Sequence, residues 1–506
     1  MSLDALPSLP LFLEARKHAL SNPDKIAVVD TAKGQQFTFT QLLADAAALK
    51  KRILEELDLA STGDLEERRV AFLVPNGYDY VVTQWAVWGA GGVCVPLCIS
   101  PLLFFLRKLT WITKGTSHPV QELLYTIGDS DPSLIITHPA FDKIEAPLRD
   151  ALADPTRLFM RLTPLTQSST SPKLPQFTPT YHPDRRALMI YTSGTTSTPK
   201  GCVTTHKTIT FQAQSLIEAW HYHPSDTLIH VLPLHHIHGI INGLAATLLA
   251  GATVEMHPKF DPGVIWARWQ DKKGGSPTMF FAVPTIYARL VDYFETHIRG
   301  TQDESPAREG AARLRLLVSG SAALPTPIKN NFAAITGQTL LERYGMTEIG
   351  MGLSCGLDEV ERIDGSVGWP LPGVQVRLTD KETGGVIDAA DVDGMIEVKG
   401  DNVFSEYWRR PEATAKEFTA DGWFKTGDVA RRNEAGAYFI QGRASVDIIK
   451  SGGYKISALE VERKLLALDE VQEVAIVGIA DEEWGQRVAA VVKQRDGVSF
   501  FIILTG

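Results

Sequence analysis

The chain has 506 residues, and 50 basic against 59 acidic side chains give it a formal net charge of −9. Its length exceeds what one hydrophobic core can organise, so we expect two or more packed units. No basic block is present to face a phosphate backbone, which argues against a nucleic-acid partner. The cysteines form no CxxC pair, so neither a disulfide framework nor a zinc site is expected; they are Cys94, Cys98, Cys202 and Cys355.

The N-terminal stretch carries Asp4 and Glu14 and lacks both the long apolar run and the Arg-rich, acid-free run of targeting signals. No apolar run approaches the roughly 20 residues that span a bilayer. We therefore expect a cytoplasmic protein with no membrane span. A peroxisomal address stays open, because such signals are read at a native C-terminus, and the sequence does not indicate an oligomeric state.

Short β-rich runs alternate with helices through the middle of the chain. Such alternation predicts βαβ units in a mostly parallel sheet, with ligands at the carboxyl ends of the strands. The predicted fold is α/β, with parallel-rich sheets flanked by helices. This prediction depends on the strands Asp226–Leu232, Ala252–Met256, Thr278–Val283, Leu314–Val318 and Thr339–Leu341 and on the helices His238–Leu249 and Pro284–Phe294.

From about residue 394 the pattern changes to short alternating strands and turns, which predicts a small β-rich subdomain. We expect a large domain over 1–442, followed by a partial α+β domain over 443–497. So short a segment makes a thin core for an independent domain. Its predicted elements are a strand at Ile448–Lys450, a helix at Ala458–Leu466 and a strand at Glu473–Val477.

Two stretches do not match their surroundings. Residues 101–117 hold three cations and no acid, and their removal joins VCVPLCIS to HPVQELLYTIGDSDPSLII as a continuous strand, turn, helix and strand. Residues 498–506, VSFFIILTG, include a short apolar, uncharged run that favours aggregation. We interpret both as translated non-coding sequence; the alternative for 101–117 is a genuine lineage-specific loop.

The run Tyr191–Gly201, YTSGTTSTPKG, follows the apolar strand Ala187–Ile190. Its small residues let backbone N–H groups approach an anion, and its hydroxyls and Lys200 add donors, so it fits a polyphosphate. It is not a Walker A loop, because no Gly-Lys-Ser/Thr closes it. A solvated Ser/Thr-rich loop is the alternative interpretation.

This run resembles the phosphate-binding signature of the acyl-adenylate-forming (AMP-binding) enzymes, which include acyl-CoA synthetases, luciferases and peptide-synthetase adenylation domains. Further runs resemble other signatures of that family, in the family's order, over nearly the whole chain. One position departs, because Ser197 stands where the family usually has glycine. The further runs are PLHHIHG at 233–239, VPT at 283–285, SGSAAL at 319–324, ERYGMTE at 342–348, GSVG at 365–368, DGWFKTGD at 421–428 and GR at 442–443.

The resemblance implies an acid–CoA ligase that uses ATP, Mg²⁺ and CoA. When a carboxylate attacks the α-phosphorus of ATP two anions meet, so such a site must neutralise charge and position groups. The implied roles are as follows: Thr192, Ser193, Gly194, Thr195, Thr196 and Lys200 hold the β- and γ-phosphates; Thr347 donates to the α-phosphate; Glu348 binds Mg²⁺; Asp428 accepts the ribose hydroxyls beside Arg443; and Tyr344, Ser321 and Ala322 flank the adenine.

Several histidines cluster around one predicted strand end. A metal site is one interpretation, but PLHHIHG has no carboxylate nearby in the sequence, which makes it a weak metal pattern. The resemblance instead implies that His236 lines the acyl and phosphate pocket. The histidines concerned are His230, His235, His236 and His238.

A dicarboxylic acid requires a fixed cation at the far end of a short pocket, whereas a fatty acid requires an apolar tunnel. Arg343 stands where many relatives carry glycine, Arg289 on the helix after Val283 could point into the same pocket, and Ser321 could add a hydroxyl. With ERYGMTEIGM, these residues resemble the malonyl-CoA synthetase branch. We predict malonate or methylmalonate as the acid; a structural ion pair at Arg343 and a medium-chain or aryl acid are the alternatives.

Members of this family rotate a small C-terminal domain between two half-reactions. The resemblance implies a hinge at Ala444–Val446, and no residue matches the family's C-terminal catalytic lysine, so we expect a truncated domain and slowed adenylation. A nucleotide-binding pseudoenzyme is therefore a further alternative. The surface offered to CoA would consist of Ser451, Gly452, Gly453 and Tyr454.

Overall fold

A computed structural model of the chain divides into two compact units. The first unit consists of 1–217, 222–259 and 404–411, and the second of 218–221, 260–403 and 412–506. The structure describes residues 3–97, 119–152, 154, 156–168, 172–192, 199–271, 275–445, 447–451, 454–466, 468, 471–481, 484–494 and 500–504. The segment 101–117 lies outside the described residues, so its interpretation stays a prediction.

The first unit contains a seven-stranded sheet whose central strands run parallel. Val95, Leu123, Ile127, Ile135 and Met189 are buried in the core beside it. Two antiparallel pairs end the sheet on one side, because the strand Lys200–Thr205 pairs with both of its neighbours in that sense. The strand order is Glu406–Tyr407, Lys200–Thr205, Arg186–Thr192, Val93–Pro96, Arg69–Leu73, Leu134–Thr137 and Leu158–Arg161.

A second group of strands in the first unit has the order Thr227–His230, Thr253–Met256, Ile26–Asp30 and Gln35–Thr38. The first three are parallel and the last pairs antiparallel. Thr38 begins the helix Phe39–Glu56, since its hydroxyl accepts from the backbone N–H of Gln41 at 3.1 Å. The other elements are Leu6–Pro7 paired with Phe177–Thr178, the helices Pro10–Ser21, Tyr78–Gly89, Pro119–Ser130, Asp142–Leu152, His206–Trp220 and Ala246–Leu249, a 3₁₀ turn at Pro139–Phe141 and a π-helix at His238–Ala245.

In the second unit, parallel strands alternate with helices, as the sequence predicts. The predicted helix Pro284–Phe294 is a helix over Pro284–Tyr293 that continues as a π-helix over Phe294–Ile298. The strand predicted at Thr339–Leu341 instead spans Leu341–Met346. The parallel strands are Met279–Ala282, Leu316–Ser319 and Leu341–Met346, followed by antiparallel Gly350–Ser354 and Trp369–Pro370, and the helices are Pro262–Gln270, Glu304–Ala312 and Thr326–Thr336, with a 3₁₀ turn at Glu359–Glu361.

The predicted β-rich subdomain is a four-stranded antiparallel sheet. Leu353, Leu378, Ile396, Ala430 and Tyr438 form its buried core. This sheet places the DGWFKTGD and GR runs on neighbouring strands. The strands are Gln375–Thr379, Asp393–Lys399, Phe424–Arg432 and Tyr438–Arg443, and a short helix at Pro411–Lys416 precedes Phe424.

The C-terminal segment folds as one helix against an antiparallel sheet. The helix Ala458–Leu466 has its predicted bounds, and Ser457 caps it by accepting from the N–H of Glu460 at 3.1 Å. The strand predicted at Glu473–Val477 extends over Val471–Asp481. The remaining strands are Ile448–Ser451, Tyr454–Ser457, Gly485–Gln494 and Phe500–Leu504. Phe500–Leu504 lies in the segment predicted as a foreign tail, and it pairs with Gly485–Gln494.

Candidate functional site

The strand Leu341–Met346 carries the first charged group of the candidate site. Glu342 on this strand and Lys329 on the helix Thr326–Thr336 are both buried, and Lys329 Nζ donates to Glu342 Oε1 at 3.0 Å. Lys329 Nζ also donates to the carbonyl of Arg362 at 3.1 Å. Burial raises the pKa of Glu342 to about 7, although the ammonium of Lys329 opposes the shift. Glu342 is therefore a charge-paired group inside the second unit.

The next residue, Arg343, is also buried but has a different environment. Its Nη2 donates to the Ser321 hydroxyl at 3.0 Å, and in the described part of the chain no carboxylate forms an ion pair with it. Burial lowers its pKa to about 9. A cation that is buried beside a neutral hydroxyl is poorly compensated, so an anionic ligand there would relieve a real cost.

The turn opposite Arg343 is shaped around the guanidinium. A Cβ added at Gly320 would lie 2.5 Å from both Cζ and Nε of Arg343, so a larger residue there would displace the guanidinium from this position. Ser321 has a φ of 68°, a left-handed conformation that costs energy for a residue with a side chain. Ser321 and Ala322 are exposed. The structure therefore joins Arg343 with Ser321, two of the three residues assigned to the acid.

Tyr344, Asp428 and Arg443 form a second cluster, from three different strands. The Tyr344 hydroxyl donates to Asp428 Oδ2 at 2.5 Å, and Arg443 Nε lies 2.9 Å from Asp428 Oδ1. Burial raises the pKa of Asp428, while Arg443 and the Tyr344 hydroxyl act in the opposite direction. The cross-strand pairing of Asp428 with Arg443 fixes this geometry. The residues assigned to ribose thus lie beside the tyrosine assigned to adenine.

Thr347 and Glu348 lie in the tight connection between the strands Leu341–Met346 and Gly350–Ser354. Gly345 permits the chain to cross closely, because a Cβ there would lie 2.1 Å from the carbonyl oxygen of Gly350. Asn402 Nδ2 donates to the carbonyl of Ile349 at 2.8 Å and supports the same turn. Glu348 is buried and Thr347 is half-buried.

In the first unit, the phosphate-binding signature joins two strands of an antiparallel hairpin. Thr192 pairs with Lys200 across the hairpin, and Lys200 Nζ lies 4.4 Å from the ring centroid of Tyr407. Thr192 and Lys200 are half-buried. The other assigned residues of this loop, Ser193, Gly194, Thr195 and Thr196, lie outside the described residues, so their roles stay predictions.

The histidines around the end of the strand Thr227–His230 do not share one environment. His230 is buried in its strand, and its Nε2 lies 2.9 Å from the carbonyl oxygen of Gly239. His236 is exposed, and its ring centroid lies 4.3 Å from that of half-buried His235. Burial, with a smaller effect of His236, lowers the pKa of His235 to about 3. Among the described residues, no group of three His, Cys, Asp or Glu side chains could hold a metal ion.

The remaining assigned residues are more dispersed. Arg289 is exposed on the helix Pro284–Tyr293, with its guanidinium 4.9 Å from the ring centroid of Phe260. Ser451 is half-buried and pairs with exposed Tyr454 across a tight hairpin. Gly452 and Gly453 lie outside the described residues. The roles of these residues toward acid and CoA stay predictions.

Sequence reasoning missed two residues that contact the ends of the phosphate-binding loop and a third, Arg410, that contacts both of them. Tyr125 and Asp129 lie on the helix Pro119–Ser130, and Arg410 follows the edge strand Glu406–Tyr407. Asp129 accepts from both Tyr191 and Arg410. The only signal in the sequence was an acid at the end of an amphipathic run, which by itself indicates a solvated helix end.

Comparison with known proteins matches two parts of the chain to models of one enzyme family. Residues 15–408 match the AMP-binding enzyme family, and residues 460–502 match the AMP-binding enzyme C-terminal domain, a match that reaches into the segment predicted as a foreign tail. Within the described residues, no helix combines the length and apolar character needed to cross a bilayer.

Several individual proteins are similar over nearly the whole chain. "Malonate–CoA ligase ACSF3, mitochondrial" of Mus musculus is 41% identical over 97% of this chain and 83% of the relative. Malonate–CoA ligase of Arabidopsis thaliana is 37% identical over 96% of this chain and 78% of the relative. The solved structure of ATP-bound MatB from Rhodopseudomonas palustris aligns with a TM-score of 0.79 at 31% identity, over 99% of this chain and 90% of that one. The chain therefore belongs to the AMP-binding enzyme family.

Proposed function

We propose that this chain is an ATP-dependent acid–CoA ligase that activates malonate or methylmalonate. The acid and ATP give an acyl-adenylate and pyrophosphate, and CoA then displaces AMP to give the thioester. ATP and CoA are substrates that fit the family, and the malonate–CoA ligases of mouse and Arabidopsis thaliana support the choice of acid. The observation that carries the proposal is the buried guanidinium of Arg343, which has a hydroxyl as its partner and no carboxylate among the described residues.

A dicarboxylate has one carboxylate to react and one to be recognised. Arg343 would pair with the second carboxylate, with Ser321 as a further donor, and Arg289 would add a second guanidinium from its helix. Guanidinium groups suit this task because they bind carboxylates through two parallel hydrogen bonds. A monocarboxylate of similar size would leave Arg343 uncompensated, so the site would select by charge rather than by length.

The adenosine end is assigned to the cluster of Tyr344, Asp428 and Arg443. Asp428 is an acceptor for ribose hydroxyls, and its two protein partners hold the carboxylate in place. Thr347 would donate to the α-phosphate. In the first unit, Lys200 and the hydroxyls of Thr192, Ser193, Thr195 and Thr196, with the backbone of Gly194, are assigned to the β- and γ-phosphates, and His236 to the acyl and phosphate pocket.

Glu348 is the residue proposed to hold Mg²⁺. Its buried carboxylate fits this ion, which is commonly bound by one or two protein carboxylates together with substrate phosphates. The ion would supply charge neutralisation at the phosphates when bound. The chain's own contribution is to hold Glu348 in a tight turn with its side chain buried.

The test is the acid dependence of pyrophosphate release and of CoA-ester formation, measured with malonate, methylmalonate, acetate and octanoate. We expect the dicarboxylates to react fastest. Arg343→Ala should lower kcat/KM for malonate roughly 10- to 150-fold, since hydrogen bonds to charged groups contribute about 1.5–3 kcal/mol. Acetate turnover should change little.

Three results would contradict the proposal. An unchanged malonate reaction in Arg343→Ala would make that residue structural. Faster turnover of octanoate or an aryl acid would favour a medium-chain or aryl acid–CoA ligase. ATP binding without turnover of any acid would favour a nucleotide-binding pseudoenzyme.

We also propose a cytoplasmic location. The mouse relative is named as mitochondrial, and a peroxisomal address is the other alternative. Fractionation of source cells, followed by detection of the chain with an antibody, separates the three compartments. Recovery with a mitochondrial or a peroxisomal marker would contradict the proposal.

A further inference from the structure

We propose that Tyr125, Asp129, Tyr191 and Arg410 form a clasp that positions the phosphate-binding loop by holding both of its ends. None of these four side chains carries an assigned role in catalysis or in nucleotide binding. The inference rests on the proposed function in one respect, namely that the loop between Thr192 and Pro199 binds the β- and γ-phosphates of ATP. The clasp residues act through that loop and are positioning residues.

The hairpin that carries the loop fixes where the loop begins and ends. Thr192 pairs with Lys200 and Tyr191 with Gly201, so the two ends are neighbours across an antiparallel pair. A loop anchored only by such a pair can still tilt as a unit about the hairpin. Additional contacts at both ends are needed to fix its direction.

Tyr191 anchors the end that enters the loop. Its hydroxyl donates to Asp129 Oδ2 at 2.8 Å, which ties the strand to the last turn of the helix Pro119–Ser130. The ring of Tyr191 also packs edge-on against that of Tyr125, with centroids 6.1 Å apart and planes at 87°. Both contacts come from one helix, so the strand end and the helix end move together.

Tyr125 anchors the end that leaves the loop. Its hydroxyl donates to the carbonyl oxygen of Pro199 at 2.6 Å. Proline has no backbone N–H, so its carbonyl is the group through which the backbone can be held by a hydrogen bond at this position. One helix therefore contacts both ends of the loop, through side chains one turn apart.

Arg410 completes the clasp from a third element. Its Nη2 donates to Asp129 Oδ1 at 2.6 Å and lies 3.3 Å from the Tyr125 hydroxyl. The Asp129 side chain is 14% exposed and that of Arg410 is 32% exposed, so this pair is better shielded from water than a surface pair. Trp408 Nε1 also donates to the backbone carbonyl of Asp129 at 3.1 Å.

The clasp has a physical consequence for polyphosphate binding. A loop that must collect several donors around an anion loses less conformational entropy on binding if its ends are already fixed. Loosening the clasp should therefore weaken the binding of ligands that contact the loop and should not change the binding of ligands that do not. ATP has the β- and γ-phosphates assigned to the loop, whereas AMP lacks them.

The experiment measures equilibrium binding of ATP and of AMP to the full chain by titration calorimetry. Tyr125→Phe and Tyr191→Phe each remove one hydroxyl and keep the ring. We expect each substitution to lower ATP affinity about five-fold, which is the effect of about one hydrogen bond, and to leave AMP affinity unchanged. Tyr181→Phe is the matched control, because it also removes a buried tyrosine hydroxyl bonded to a backbone carbonyl, that of Gly89, in the same unit.

Arg410→Ala and Arg410→Lys provide a second line of evidence. We expect Arg410→Ala to lower ATP affinity more than AMP affinity. Arg410→Lys should lower ATP affinity less than Arg410→Ala, because lysine keeps the charge beside Asp129. Unchanged ATP affinity in both tyrosine variants would overturn the clasp. So would an equal loss of ATP and AMP, or an equal loss of ATP in Tyr181→Phe, since either would indicate general destabilisation. Failure of the unmodified chain to bind ATP would instead contradict the proposed function, and the role of the clasp with it.

Discussion

Two neighbouring residues of one strand, Glu342 and Arg343, are both buried and both ionisable, yet their surroundings differ. Glu342 has an ammonium partner at 3.0 Å, whereas Arg343 has a neutral hydroxyl at the same distance. Successive residues of a strand point to opposite faces, so the two charges contact different parts of the protein. A paired buried charge contributes to a specific fold, while an unpaired one is costly unless a ligand arrives. Glu342 therefore fits a structural role, and Arg343 fits the recognition role proposed for it.

Breaking the pair of Glu342 and Lys329 should have the largest effect on stability. Lys329→Met removes the ammonium that contacts the buried carboxylate of Glu342 and should lower the free energy of unfolding by about 3–5 kcal/mol. Urea denaturation measures this loss. The matched control is Lys17→Met, because Lys17 is exposed and pairs with Glu14 at 3.1 Å, so its loss should cost less than about 1 kcal/mol. Equal losses in the two variants would contradict the comparison.

The pH dependence of stability should show the cost of burying Glu342. Its pKa of about 7 in the folded chain exceeds the ordinary value of 4.5, so the folded state binds the proton more tightly than the unfolded state. Stability from this group is present below about pH 4.5 and is lost as pH rises to about 7, by roughly 3 kcal/mol. Glu342→Gln should flatten this part of the profile, and exposed Glu434→Gln should not. A profile in Glu342→Gln as steep as that of the unmodified chain would argue against the shift.

Removing the charge of Arg343 should change the free energy of unfolding in the opposite direction. Arg343→Met removes a buried charge that has no carboxylate partner among the described residues, so it should raise the free energy of unfolding by about 1–3 kcal/mol while malonate turnover falls. Urea denaturation and the pyrophosphate assay measure the two effects. A loss of stability similar to that of Lys329→Met would make Arg343 a structural ion-pair residue.

A smaller effect is expected at Asp428, whose charge is paired with Arg443 and which is also proposed to bind the ribose. Tyr344→Phe removes the hydroxyl that donates to Asp428 but leaves Arg443 in place, so AMP affinity should fall about five-fold. Because that hydroxyl lowers the pKa of Asp428, its loss should also move the acidic limb of AMP binding to higher pH. Tyr287→Phe, which loses hydrogen bonds to two backbone carbonyls in the same unit, should leave AMP binding unchanged.

The sequence predicts the fold class well because βαβ alternation is a local pattern. The strand Leu341–Met346 shows where this fails. Its residues Glu342, Arg343 and Gly345 have little intrinsic preference for a strand. Parallel pairing with Leu316–Ser319 at its start and antiparallel pairing with Gly350–Ser354 over the rest impose the conformation. Propensity underestimates such a strand, since its stability comes from its neighbours.

The proximity of Asp428 and Arg443 was predictable, because each lies in a recognisable motif and cross-strand pairing brings the two motifs together. The position of a side chain on a helix face was less predictable. The spacing from Val283 does not reveal that Arg289 is exposed beside Phe260. The clasp could not be predicted, because Asp129 and Arg410 are 281 positions apart and neither lies in a recognisable motif.

The glycine at 320 has a consequence for how acid preference can change among related enzymes. Its missing side chain provides the space that the guanidinium at 343 occupies, so the two positions cannot enlarge independently. A chain with a small residue at 343 has room for alanine or serine at 320, whereas a chain with arginine does not. We expect the two positions to covary across enzymes of different acid preference, because a gain of arginine at 343 requires glycine at 320, whereas its loss does not require a change there.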